Sequence, residues 1–141
     1  MKKYLTATIS PSMLPARLIG KVILEVHEVE EFTFRGQVKK ALYAEELIPA
    51  VGHENTANFL KKRLLLKDDV KLFNRVNTIL QPGDIVYAAI PQIRLPEATE
   101  FSNNVIRSAP FRFFIGEVRY TKIWKEVLDG KNSSESPQAA E

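Results

Sequence analysis

Three interruptions centred on proline and glycine decide what this chain can build. SPSMLP at residues 10–15, the Pro49 and Gly52 pair, and QPGD at residues 81–84 each break a backbone pattern. Proline fixes φ and lacks an amide donor, whereas glycine admits positive φ. The pieces between these breaks are short and differ in character. KKYLTATIS (residues 2–10) is β-branched and aromatic and predicts a first strand. KVILEVHEVEEFTF (residues 21–34) predicts a second extended segment, in which Val22, Leu24 and Val26 alternate with Ile23, Glu25 and His27. From Gly36 to Arg63 the pattern is helical. QVKKALYAEEL (residues 37–47) holds good helix formers, and after Gly52 a new helix restarts with Ala57, Leu60 and Leu64 in one apolar stripe and Asn58, Lys61 and Lys62 outside it. VKLFNRVNTIL (residues 70–80) returns to strand composition, and the QPGD turn predicts a hairpin into IVYAAIPQI (residues 85–93). FRFFIGEVRY (residues 111–120) predicts a last strand, followed by a short helix around KIWKEVL. Strands and helices are interspersed, so the expected class is α/β: a single domain over residues 1–129, with a central mixed sheet of about five strands flanked by helices. Residues 130–141 have little to bury and are expected to be a disordered tail.

Composition narrows the function classes. With 141 residues, of which 45% are hydrophobic, one modest core is the natural size. Lys and Arg exceed Asp and Glu by 20 to 17. That excess suits a polyanionic ligand in a local basic pocket but not a protein that coats duplex DNA. No cysteine is present, which excludes disulfides and thiolate metal sites. Two histidines do not supply the donors a zinc site needs, and no carboxylate cluster has two-metal spacing, so neither metal nor cofactor is expected. The basic start MKKYLTATIS lacks an apolar signal region, and no apolar run has membrane-spanning length. A soluble, cytoplasmic protein is expected.

The sharpest local feature is AVGHENTANFLKKR (residues 50–63). A bend at Gly52 followed by a helix start leaves amides pointing outward, and such amides attract anions. His53 stands at that point. It is either a solvated residue at a helix terminus or a general acid beside a bound anion. His27, alternating with Glu25, reads as a half-exposed sheet residue. Arg75 shares a strand face with Phe73 and Asn77, and Arg94 and Glu97 sit in RLPE, in a connection of the kind that often carries function. Arginine grips phosphate through its planar fork, although each of these is equally compatible with a surface cation or, for Arg94 and Glu97, a simple ion pair. Ser10 and Ser12 flank Pro11 and either form the turn or offer it to a phosphate. Arg35, Lys39 and Lys40 read as a solvated helix face.

Taken in order, YLTATISPSMLP, AVGHENTA, GDIVYAAIPQIRLPE and FFIGEV give the chain a recognisable outline. It resembles the viral type III anti-CRISPR ring nucleases and their cellular homologues, over roughly residues 3–120. GHENTA is the most specific element of the likeness. The resemblance implies a homodimer that encloses cyclic tetra-adenylate at the subunit interface and cleaves it without a metal, switching off type III CRISPR signalling. By position, His53 matches the catalytic histidine of that family. Arg94 and Glu97 match its arginine and glutamate near the scissile region, and Arg75 a ligand-binding arginine. Ser10, with Ser12 and Gly52 beside it, falls on the loops that meet the ring. Two departures stand out: Ala7 and Ser12 occupy positions where many members have asparagine. Residues 98–111 also follow the family pattern poorly.

The chemistry this implies is attack by the ligand's own 2′-hydroxyl on the adjacent phosphate. His53 would protonate the departing 5′-oxygen, Arg94 and Arg75 would stabilise the added charge, and Glu97 would orient Arg94 or a ribose hydroxyl. Products would be linear oligoadenylates ending in a 2′,3′-cyclic phosphate. Two other readings fit the same residues: a module that captures a cyclic oligonucleotide or RNA without cutting it, and a DNA-binding regulator. The mild charge and the lack of a helix-turn-helix pattern count against the second of these, and no duplex DNA partner is expected.

Overall fold

A computed structural model describes residues 1–75, 77–95 and 101–134. Five strands form one mixed sheet: β1 (Lys3–Thr6), β2 (Val22–Val29), β3 (Leu47–Pro49), β4 (Ile85–Pro91) and β5 (Phe111–Tyr120). Their order across the sheet is β2-β5-β4-β1-β3. β1, β3 and β4 run parallel, with Leu5 opposite Pro49 on one side and Tyr87 on the other. β5 is antiparallel to both β4 and β2. The helices are α1 (Glu31–Tyr43), α2 (Glu54–Arg63), α3 (Asn103–Ser108) and α4 (Lys122–Ser134). The expected α/β class, sheet size and flanking helices are those observed.

Alternation along the strands sends apolar side chains to both faces of the sheet. Leu5, Tyr87, Ala89 and Phe113 meet Phe34, Val38 and Ala41 of α1, Ala57 and Leu60 of α2, and Leu64 just beyond its end. Phe34 lies at the centre, edge-on to Tyr87 at 6.2 Å and tilted against Phe113 at 5.0 Å. The opposite face carries Val22, Val86 and Val118 against Met13, Leu18 and Leu80, which come from 3₁₀ turns and loops rather than long helices. At Gly116 a Cβ would stand 3.0 Å from a methyl of Val86 and 3.1 Å from one of Leu24, so the neighbouring side chains fill the space a larger residue would need inside the strand.

Several local expectations need correction. Residues 31–34, read as the end of an extended segment, open α1, because Phe34, Val38 and Ala41 bury one helical face despite the strand-like EFTF. The described residues of 70–80 form no strand. Among them only Phe73 makes a bridge, to Val51, while Leu72 and Leu80 are anchored in the two cores. QPGD therefore turns into β4 without a hairpin. Gly83 takes φ of +92°, and Asp84, almost fully buried, accepts from the amides of Gln81 (2.9 Å) and Lys2 (2.8 Å). The short parallel strand β3 was not foreseen. α4 runs to Ser134, so residues 130–134 are helical where a tail was expected, and the helix begun by KIWKEVL simply propagates. The remainder of the expected tail lies outside the described residues. Among the described residues, no helix is long and apolar enough to cross a membrane.

Candidate functional site: a cleft at the ends of the parallel strands

The chain leaves β1, β3 and β4 at the same end of the sheet, and there it opens a cleft of about 950 Å³. Ligands of open α/β sheets commonly bind outside the carboxyl ends of the strands. The β1 exit is set by Thr6, a buried threonine whose hydroxyl donates to the carbonyl of Thr8 at 2.6 Å. Ser10 then caps the 3₁₀ turn Pro11–Met13, accepting from the Ser12 amide at 3.3 Å and sharing a 2.9 Å hydrogen bond with the Ser12 hydroxyl. The β3 exit is tied down twice. The Ala50 amide donates to the Leu5 carbonyl at 2.9 Å, and Val51 exchanges backbone hydrogen bonds with Leu72 and Asn74 at 3.1 and 2.8 Å. The side-chain amide of Asn74 adds a bond to the Pro49 carbonyl at 3.0 Å. These ties hold the segment after Asn74 along the cleft.

Directly after Gly52, His53 occupies the residue preceding α2, in extended conformation (φ −127°, ψ 131°). Its carbonyl accepts from the Ala57 amide at 2.9 Å, but its side chain makes no capping bond. The exposed imidazole lines the cleft. Arg75 lines it as well, its guanidinium held over the Phe73 ring at 5.4 Å. Hydroxyls and amides from Thr8, Thr56, Asn74, Asn77 and Thr78 complete the polar wall. Among the described residues no carboxylate lines the cleft, and no group of three potential metal ligands occurs anywhere. Imidazole, guanidinium, hydroxyl and helix-start amides together suit a phosphate-bearing ligand.

Of the sequence candidates, Ser10, Ser12, Gly52, His53 and Arg75 come together here, and Ala7 lies on the same wall. Arg94 does not line the cleft; it is exposed beyond the end of β4. Glu97 lies outside the described residues. His27 is exposed on the edge strand β2, 3.6 Å from Glu25, away from the cleft. Thr56, Asn77 and Thr78 were missed. Thr56 follows His53 by three residues and faces the same side of the helix start, a signal GHENTA contained. Asn77 was read only as a neighbour of Arg75 on a strand face, and Thr78 gave no signal once residues 70–80 were read as a strand.

A family model described as STIV B116-like matches residues 13–113. The chain belongs to the STIV B116-like family. ORF116 of Acidianus filamentous virus 1 (isolate United States/Yellowstone), itself described as uncharacterized, is 28% identical over 106 residues, covering 75% of this chain and 83% of that protein. The solved structure of B116 of Sulfolobus turreted icosahedral virus matches with a TM-score of 0.65 at 24% identity, over 84% of this chain and 99% of that one. This second likeness bears on the fold, and it agrees with the mixed sheet described above. The B116-like match spans the cleft from Met13 through Pro91. It leaves Ser10, Ser12 and the whole of α4 outside.

Proposed function

We propose that this B116-like chain is a metal-independent ring nuclease that acts in the cytoplasm as a homodimer. It binds cyclic tetra-adenylate between subunits and cleaves it by 2′-hydroxyl attack, ending type III CRISPR signalling. The observation that carries this reading is the cleft itself. An uncommitted imidazole at a helix start and a guanidinium share a wall otherwise made of hydroxyls, amides and apolar groups, with no described carboxylate to repel a phosphate.

Each part of the wall has a task in that chemistry. The ligand supplies its own nucleophile, so the protein must align the 2′-oxygen with the departing 5′-oxygen and deliver a proton to the latter. Alignment is worth up to ~7–11 kcal/mol in favourable intramolecular cases. His53, exposed and free of capping duty, is the proton donor, a role worth roughly 10²–10⁴-fold. Arg75 pairs with phosphate charge as it accumulates. The Ser10–Ser12 turn and Gly52 shape the floor on which the ring rests. A two-fold dimer would present two such half-sites to a ligand that has rotational symmetry of its own.

The position of Arg94, outside the cleft wall, favours one second reading: a module that captures the ring without cutting it. Incubation of the purified protein with cyclic tetra-adenylate, with and without chelator, separates the two. The nuclease reading predicts catalytic amounts of linear products ending in 2′,3′-cyclic phosphate, at a rate indifferent to chelator. Stoichiometric protection of intact ring would establish capture instead. Loss of activity with chelator would place a metal in the reaction.

A further inference from the structure

We infer that Asn55 is a positioning residue that fixes the Arg94 segment against the His53 end of α2; this rests on the nuclease reading of the cleft. The side-chain amide of Asn55, the second residue of α2, donates to the carbonyl of Leu95 at 3.0 Å. Leu95 follows Arg94 directly, and His53 stands two residues before Asn55. One side chain therefore links the helix start that presents His53 to the segment that carries Arg94, the arginine that lies outside the ligand-free cleft wall and that the resemblance puts near the scissile phosphate. Earlier in the exit from β4, the Gln92 side chain donates to the Ile90 carbonyl at 3.0 Å. The Gln92 amide donates to the Pro110 carbonyl at 2.8 Å, after which Ile93 and Arg94 are exposed.

Packing reinforces the tie from the same helix. Leu95 rests on the small core of Phe59, Ile106 and Ala109, and Phe59 lies one turn beyond Asn55 on α2. Phe101, on the far side of the connection, packs edge-on to Phe59 at 5.1 Å. Apolar contact holds these residues near α2 without fixing where the backbone sits along it, because burial is non-directional. A hydrogen bond to the Leu95 carbonyl does fix that, and it sets the starting point of the Arg94 side chain relative to the imidazole.

The test compares wild type with Asn55→Ala and Asn55→Gln. The glutamine variant keeps an amide donor on a longer arm. Both should unfold close to the wild-type temperature. Asn55→Ala should speed amide hydrogen exchange at residues 92–95 in the ligand-free protein and lower kcat for cyclic tetra-adenylate roughly 10–100-fold, the scale of a small misplacement. KM should stay within about twofold, and the pH profile set by His53 should keep its shape. Asn55→Gln should recover part of the rate. Wild-type cleavage with undiminished Asn55→Ala turnover would overturn this inference alone. Failure of the wild-type protein to cleave would overturn the nuclease reading and this inference with it.

Discussion

The two ends of α2 are built on opposite plans. At its last residue, Arg63 is locked. Its Nε and Nη2 donate to the two oxygens of Glu31 at 2.8 and 2.9 Å, and Nη1 donates to the carbonyls of Ile106 and Ala109 at 2.8 and 2.6 Å. The guanidinium also lies 4.9 Å from the Phe111 ring and retains only 10% of its side-chain exposure. The charges obey the helix dipoles, a carboxylate at the first residue of α1 and a cation at the last of α2. At the other end, His53 is exposed, makes no capping bond and faces a cleft. The difference teaches a division of labour. One end joins α1, α2 and α3 into a fixed frame, and the other holds an exposed imidazole at the cleft.

That contrast can be broken first at its open end. His53→Ala should lose roughly 10²–10⁴-fold of cleavage rate while its stability stays within about 0.5 kcal/mol of wild type, because no bond is removed. Activity assays beside urea denaturation would check both halves. At the locked end the order reverses. Arg63→Met should cost about 3 kcal/mol of stability, the lower part of the range for breaking a buried pair, since Glu31 keeps 31% exposure. Under conditions where that variant is folded, it should retain ring binding, read by ligand titration.

Acid sharpens the same contrast. The hydrogen bonds from Arg63, more than its charge at a distance, hold the Glu31 carboxyl below its ordinary value of 4.5, against the opposing effect of burial. The unfolded chain therefore binds the proton more readily. The pair's contribution is fully present above about pH 4.5 and is lost as pH falls through the lower folded value. Urea unfolding between pH 6 and 3 should show a shallower acid decline for Arg63→Met than for wild type. Glu28, held low by its hydrogen bond to Arg112, declines alike in both proteins and serves as the internal control. The smallest effect belongs to a turn remote from both ends. Gly83→Ala should cost about 1–2 kcal/mol, since alanine disfavours φ of +92°, and should leave cleavage unchanged.

What the sequence revealed follows the range of the forces involved. The α2 stripe of Ala57, Leu60 and Leu64 is a local period, and all three residues are buried as expected. The last strand matched its pattern from Phe111 to Tyr120. Residues 70–80 misled because Val70, Leu72, Phe73 and Leu80 fit a strand as well as they fit anchors of an irregular crossing, and only the partners Val51 and Met13 distinguish the two. β3 escaped notice because three residues between a helix and a glycine carry no period. The near half of the cleft was legible because GHENTA and SPSMLP are contiguous motifs. Asn55, Arg63 and Asp84 were not, since each draws its meaning from a partner 40, 32 or 82 residues away.

The central claim is that His53 gives a proton to the departing 5′-oxygen. The most direct test replaces that oxygen with sulfur in cyclic tetra-adenylate, because a thiolate leaves without needing an acid. Single-turnover cleavage should then run nearly as fast in His53→Ala as in wild type, although the variant is crippled on the natural ring. An equally large deficit on both rings would contradict the assignment and return His53 to the status of a solvated residue at the start of a helix.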